Sequence, residues 1–213
     1  MPKVSDRHRQ RQADHIRRAA EKCFARNGFH ATTMDEIIAE AGMSSSTVYR
    51  YYPGGKEQLV RAVSTARMDP LLDRIRAFAD DEQPRSLEQA FSEGIALISR
   101  QSDAESAATH DPDALLRSTR LAVTAWSEAG RNPELGEMLA ENYAAIRSRL
   151  TGLARRWKAD GTVTSALDSA DVAALMQNTA FGLVVEQAIT GKADIPAAAQ
   201  RLSRVLTDQS DSF

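Results

Sequence analysis

The sequence predicts an all-α protein of roughly nine helices, and three observations carry that expectation. Alanine, leucine, glutamate and arginine dominate, and no run alternates with period two for long, so strand signals are nearly absent. Apolar residues instead recur at the three/four spacing of an amphipathic helix. Each such run is bounded by an N-cap residue, a proline or a glycine. The implied layout is a three-helix N-terminal head in residues 1–55 and a larger helical body in residues 56–213.

The first helix is expected from Ser5 to Asn27, with Ile16, Ala19, Ala20, Cys23 and Phe24 as its apolar stripe and Gly28 as a left-handed stop. Thr33-Met34-Asp35-Glu36 has the form of a capping box, a Thr N-cap with Glu at the third helical position. It opens a short helix that turns Ile37, Ile38 and Ala41 inward and ends at Gly42. Ser44 caps the next helix, which reaches about Tyr52 before Pro53-Gly54-Gly55 breaks it. Two short helices joined by a tight Gly-containing turn form a helix-turn-helix.

The second of these helices has an unusual surface. Val48 and Tyr52, four apart, can pack inward, which leaves Ser45, Ser46, Thr47, Tyr49, Arg50 and Tyr51 around the other faces. Small hydroxyls let a backbone approach a groove closely and can bond phosphates or base edges. The helix N-terminus itself favours phosphate. Net charge agrees with this: residues 1–67 hold 12 Lys+Arg against 7 Asp+Glu, a net of +5, on a chain of formal net charge -2.

The stretch from Ile16 to Val60, "IRRAAEKCFARNGFHATTMDEIIAEAGMSSSTVYRYYPGGKEQLV", resembles the DNA-binding domain of the TetR family of bacterial transcriptional regulators. The residues that carry the resemblance include Ile16, Ala19-Ala20, Phe24, Gly28-Phe29, Thr33, Ile37, Ala41-Gly42, Ser44, Thr47, Tyr49 and Lys56-Glu57. Cys23 and Val48 stand where Leu is usual, Ile38 where Ala is, and Tyr52 where Phe is; the turn at Pro53 is one residue longer. These departures touch core packing and remove no hydroxyl or charge. The resemblance implies a ligand-responsive homodimeric repressor of a palindromic operator on double-stranded DNA, with a small-molecule effector held in the body. The DNA-binding residues are then Thr33, Ser44, Ser45, Ser46, Thr47, Tyr49, Arg50, Tyr51 and Lys56. Among these, Lys56 and Tyr49 are assigned to the phosphate backbone, and Ser45, Ser46, Arg50 and Tyr51 to base edges.

A long connector helix follows from Lys56 toward Phe78, and Pro70 inside it is expected to kink or break it. Further helices are expected at 86–100, 112–128, 133–159, 169–190 and 195–207, with a flexible loop from Ser102. The helix after Ser169 is apolar nearly all round: Val172, Leu175, Met176, Thr179 and Leu183 on one face, Ala173, Ala180, Phe181, Val184 and Ala188 on another. Such a helix is buried on two sides, one of them by a second copy of the chain. Phe91, Trp126, Met138, Tyr143, Met176, Gln177 and Phe181 are the pocket candidates in the body.

Other classes find less support. A single cysteine, Cys23, excludes an internal disulfide and suits a reducing cytoplasm; it lies on an apolar stripe and reads as a small hydrophobe. His8, His15, His30 and His110 show no zinc-ligand spacing, and no nucleophile elbow or phosphate loop is present, so neither an enzyme nor a metal or organic cofactor is expected. Arg155, Arg156 and Lys158 near a helix C-terminus are accounted for by the helix dipole. The N-terminus is hydrophilic, no apolar run could span a bilayer, and a cytoplasmic protein is expected. The basic segment KVSDRHRQR, with Arg7, Arg9 and Arg11 at alternate positions, reads as a mobile arm. The rival functions are a constitutive DNA-binding protein without effector and a small helical enzyme.

Overall fold

The computed structural model describes residues 6–80, 86–99 and 114–207. Among these residues there are nine α-helices and no strand. Helix α1 runs Asp6–Ala31, α2 Met34–Ala41, α3 Ser45–Tyr51, α4 Gly55–Asp80, α5 Leu87–Ser99, α6 Ala114–Ala129, α7 Pro133–Ala159, α8 Ser169–Thr190 and α9 Ile195–Leu206.

Local chemistry sets most of these limits. Thr33 caps α2: its hydroxyl accepts from the Glu36 amide at 3.3 Å, and the Glu36 carboxylate accepts from the Thr33 amide at 2.8 Å. Gly42 ends α2 at φ 61, ψ 31, the left-handed conformation that spares glycine a Cβ clash. Ser44 caps α3 by accepting from the Thr47 amide. Asn132, Asp168 and Asp194 cap α7, α8 and α9 in the same way.

Gly28 interrupts α1, but not as a left-handed cap. Its φ of 78 with ψ of 168 lies in a region essentially reserved for glycine, and a further helical turn follows it. The supposed arm also differs. Residues 3–5 lie outside the described residues, while Arg7, Arg9 and Arg11 are exposed positions on α1. Asp6 in the first turn complements the helix dipole. The amide of Gln10 reaches the carboxylate of Asp14 one turn on. Pro70 does not break α4, which stays one helix from Gly55 to Asp80. The proline removes a single donor, and packing holds the helix on both sides of it: Leu59 and Val63 before, Ile75 and Phe78 after. The loop expected from Ser102 lies outside the described residues.

Two apolar clusters share α4. The head cluster joins Ile16, Ala20, Cys23 and Phe24 of α1 with Ile37, Val48 and Tyr52, then takes Leu59 and Val63 from α4 and Leu121 and Ala125 from α6. The body cluster takes Ile75 and Phe78 from α4 and is built around Trp157, Leu153, Val172, Met176 and Leu206. Leu206 also accepts, through its carbonyl, from the amides of Thr164 and Ser165, which ties the end of α9 to the turn before α8.

Both apolar faces expected of α8 are largely spent within the chain. Val172, Ala173, Met176, Leu183 and Val184 are buried, because α6 and α7 pack on either side of the helix. A third stripe is left outward: Asn178, Gly182, Val185 and Ile189, spaced three and four apart, with Leu175 half-buried against the body core at its start. Ile189 is 74% exposed and Val185 37%; on the neighbouring α9, Val205 is 56% exposed.

Gly28→Ala is expected to lower stability by about 1–3 kcal/mol, since alanine tolerates that conformation poorly. Thr33→Ala should lose about 0.5–2 kcal/mol through the cap. Urea unfolding reads both as a drop in midpoint at constant slope. The hydrogen bond from the Thr33 amide is the main cause that lowers the Glu36 carboxyl below its ordinary pKa. The contribution of this cap is therefore full at neutral pH and fades as pH falls through the carboxylate range.

Candidate DNA-binding face and body cavity

On α3 the hydroxyls form a connected group. Ser44 Oγ lies 2.8 Å from Thr47 Oγ1 and 3.1 Å from Ser46 Oγ. Ser45 and Ser46 are exposed, and Thr47 is half-buried. Val48 is fully buried and anchors the helix from beneath. Tyr49 stands 43% exposed, and the Arg50 guanidinium lies over the ring of Tyr51 at 5.4 Å. Thr33 is exposed at the start of α2. Eight of the nine residues read from the sequence thus sit on α3, at its cap, or at the cap of α2. Lys56, the ninth, is placed differently: its ammonium donates to the carbonyls of His30 at 3.2 Å and Thr32 at 3.1 Å. That commits two of its three N–H donors to the chain leaving α1.

Two long-range bonds that the sequence did not reveal fix the tilt of this unit. Tyr52 Oη donates to the carbonyl of Ala13 at 3.0 Å, and His15 Nε2 lies 2.9 Å from the carbonyl of Ala41. Burial raises the Tyr52 phenol above its ordinary pKa, which keeps it a donor. Cys23 is fully buried; burial raises its thiol, the state of an unreactive cysteine.

The body holds a cavity of about 560 Å³, open to solvent on one side and walled mainly by apolar side chains of α4, α5, α6, α7 and α8. Phe91, Trp126, Met138, Tyr143, Met176, Gln177 and Phe181 all lie on its wall. Trp126 stacks on Phe181 at 4.8 Å, and Tyr143 meets Phe181 edge-on at 5.3 Å. Gln177 is buried at the polar end of this group. Its Oε1 accepts from Arg147 Nε at 2.6 Å, and its Nε2 donates to the Tyr143 carbonyl at 3.0 Å. Sequence reasoning missed the polar residues of the α4 side: Ser64, Arg67, Ser118 and Asn142. Asn142 Nδ2 donates to Ser64 Oγ at 2.9 Å. Arg67 pairs with Glu21 of α1, and Glu21 also faces Arg17 at 3.5 Å. A charged pair therefore links the cavity wall to the head.

No helix among the described residues is long and apolar enough to cross a membrane, and no three of their His, Cys, Asp or Glu side chains group as a metal site would need.

A helix-turn-helix head with a hydroxyl-rich second helix, mounted on a helical body with an apolar cavity, defines a class of DNA-binding regulators. Comparison with known proteins gives the family. Residues 16–63 match the model described as bacterial regulatory proteins, tetR family, and residues 107–210 match that of the C-terminal domain of BetI-type transcriptional repressors. The chain is 25% identical over 171 residues to the HTH-type transcriptional regulator UidR of Escherichia coli K12, covering 80% of this chain and 79% of that one. It is 26% identical over 187 residues to the uncharacterized HTH-type regulator YfiR of Bacillus subtilis, covering 86% and 83%. The fold is shared with GusR of Salmonella enterica (TM-score 0.70, 24% identity, 96% and 99% coverage) and with SmeT in complex with triclosan (TM-score 0.74, 18% identity, 92% and 90%). It is also shared with FadR of Bacillus subtilis in complex with stearoyl-CoA (TM-score 0.66, 20% identity, 91% and 97%). The chain belongs to the TetR family, and it is a helix-turn-helix, DNA-binding regulator of transcription.

Gln177→Leu should leave Arg147 Nε without this acceptor, remove the second donor to the Tyr143 carbonyl, and cost about 1–3 kcal/mol. A melting temperature unchanged from the parent chain would show that the bonds carry no net stability.

Proposed function

We propose that the chain is a ligand-responsive repressor that binds a palindromic operator as a homodimer. Residues 1–55 form the DNA-binding domain and residues 56–213 the ligand-binding and dimerisation domain. The observation that carries this reading is the continuity of α4, which belongs to both apolar clusters and walls the cavity. A ligand that fits one setting of α4 better than another shifts the populations of head positions. Repression, rather than activation, is supported by the BetI-type repressor match over the body. Ligand response is supported by the cavity and by the ligand complexes of SmeT and FadR. The expected location is the cytoplasm, where such a regulator meets DNA.

On DNA, α3 enters the major groove. Ser45, Ser46, Arg50 and Tyr51 face base edges. Thr33, Ser44, Thr47 and Tyr49 face the backbone, and Lys56 offers its remaining donor to a phosphate. Selection of bound sequences from random duplex DNA should return a two-fold symmetric consensus with half-sites one helical turn, about 34–36 Å, apart. Affinity for that site should fall steeply with salt, as release of phosphate counterions requires. An asymmetric consensus, or salt-independent binding, would defeat the reading.

The second copy docks on the outward stripe of α8 with Val205 of α9. This is supported by the exposure of Ile189, Val185 and Val205 in one chain and by the room at Gly182, where an added Cβ meets nothing within 4 Å. Because that face is open in the single chain, Ile189→Glu and Gly182→Leu should leave the fold intact and split the dimer. Sedimentation should show folded monomers that keep only weak, non-specific DNA binding. A folded monomeric variant with full operator affinity would remove the dimer from the mechanism.

A further inference from the structure

Half of the chain's Trp, Tyr and Phe residues and half of its methionines line the body cavity. Trp126 and Phe181 stack there with Tyr143 edge-on, and Met68, Met138 and Met176 lie on the same wall. Rings favour further rings in offset or edge-on contact, and thioethers adapt their shape to aromatic surfaces. Among the described lining residues only Arg67 is charged, and it is held by Glu21 of α1. An ion drawn into such a space gives up water and finds no counter-ion set aside for it, which is the costliest form of burial.

The wall also carries neutral polar groups whose hydrogen bonding is unfinished. Thr119, Thr124, Thr151 and Thr179 turn their hydroxyls back to the carbonyl four residues earlier, the ordinary use of a hydroxyl within a helix. Ser64, inside α4, does not. Its Oγ accepts from Asn142 Nδ2 of α7 at 2.9 Å, and both residues line the cavity. Among the described residues the Ser64 hydroxyl then has no acceptor for its proton, and Asn142 Oδ1 has no donor. Turning the amide over exchanges these roles but still leaves a donor and an acceptor side by side. Ser118 of α6 adds a hydroxyl to the same wall, 2% exposed and without a partner. Polar groups inside proteins are ordinarily satisfied, so groups left open beside a cavity mark where a neutral polar atom of a ligand belongs.

We propose that the ligand is an uncharged aromatic alcohol, its rings against Trp126 and Phe181 and its hydroxyl between Asn142 and Ser64. This rests on the reading of the cavity as an effector site and adds the ligand's chemical class. A hydroxyl is both donor and acceptor, so it serves the Asn142 carboxamide oxygen and the Ser64 hydroxyl proton at once. A hydrocarbon leaves both unserved. An ammonium or a carboxylate fills one of the two roles and brings a charge that the wall does not answer. Because Ser64 belongs to α4 and Asn142 to α7, the bound hydroxyl bridges the connector helix to the body from inside the cavity.

The test uses the full-length protein and probes built on one two-ring frame: naphthalenemethanol, methylnaphthalene, naphthoate, naphthylmethylammonium and the saturated decalinmethanol. Isothermal titration calorimetry at neutral pH gives each affinity. Naphthalenemethanol is expected to bind at least about tenfold more tightly than either ion, and about two- to tenfold more tightly than decalinmethanol. Its affinity relative to methylnaphthalene should fall several-fold in Ser64→Ala and in Asn142→Leu. Alanine suits a helix interior and leucine is close to asparagine in shape, so methylnaphthalene, which uses neither polar group, should bind both variants as it binds the parent chain. Equal or tighter binding of either ion, or equal binding of the saturated alcohol, overturns the aromatic-alcohol assignment and leaves the effector reading standing. A preference over methylnaphthalene that survives both substitutions does the same. Failure of every probe to bind overturns the cavity as a site for small apolar molecules, and with it the reading on which this inference rests.

Discussion

The structure depends on one helix serving two cores. In α4, Leu59 and Val63 complete the packing of the head, and Ile75 and Phe78 enter the core of the body. Interiors are packed about as densely as organic crystals and do not deform continuously. A helix gripped at both ends therefore moves as a unit or not at all. Pro70 falls between the two grips and takes one hydrogen bond out of the helix without ending it. The Arg67–Glu21 pair and the seating of Leu121 and Ala125 of α6 in the head cluster add second and third ties across the same junction.

Against that rigid junction, the cavity is the part of the molecule that packing leaves unfinished. A void of this size forfeits the dispersion contacts its lining would otherwise make, and residual cavity volume is destabilising in general. The stacked Trp126, Phe181 and Tyr143 support one wall without closing the space. The gain from filling it is available to a ligand. Because α4 forms another wall, the proposed function has any setting of the helix that suits a ligand passed to α1, α2 and α3 as a displacement of the whole head.

Much of this was legible in the sequence where the causes are local. The limits of α7 and α8 and the start of α9 follow from Asn132-Pro133, Asp168 and Thr190-Gly191, and Asp194, all cap chemistry within a few residues. The capping box at Thr33 and the inward pair Val48 and Tyr52 are equally local. All seven pocket candidates line the cavity, since large side chains of the body face its interior whatever that interior holds. What failed depended on tertiary neighbours. Alternate arginines at 7, 9 and 11 suggested a mobile arm, whereas they lie on α1, which runs from Asp6 close to its expected start at Ser5. The two apolar faces assigned to α8 are taken up by α6 and α7, and the outward stripe from Asn178 to Ile189 emerges only once those neighbours are placed. Ser118, one of four hydroxyl side chains on α6, carries no local signal that it borders the cavity.

The central claim is that occupancy of the cavity and affinity for operator DNA are coupled through α4. The most direct measurement titrates a cavity-bound compound while recording two signals on the same sample: the change in tryptophan emission, to which Trp126 on the cavity wall responds over the background of Trp157, for occupancy, and fluorescence anisotropy of labelled operator for DNA affinity. Coupling between distinct sites is typically worth about 1–3 kcal/mol, so operator affinity is expected to change by about 5–150-fold as the Trp126 signal saturates. Trp126 emission that saturates while operator affinity stays constant would contradict the account.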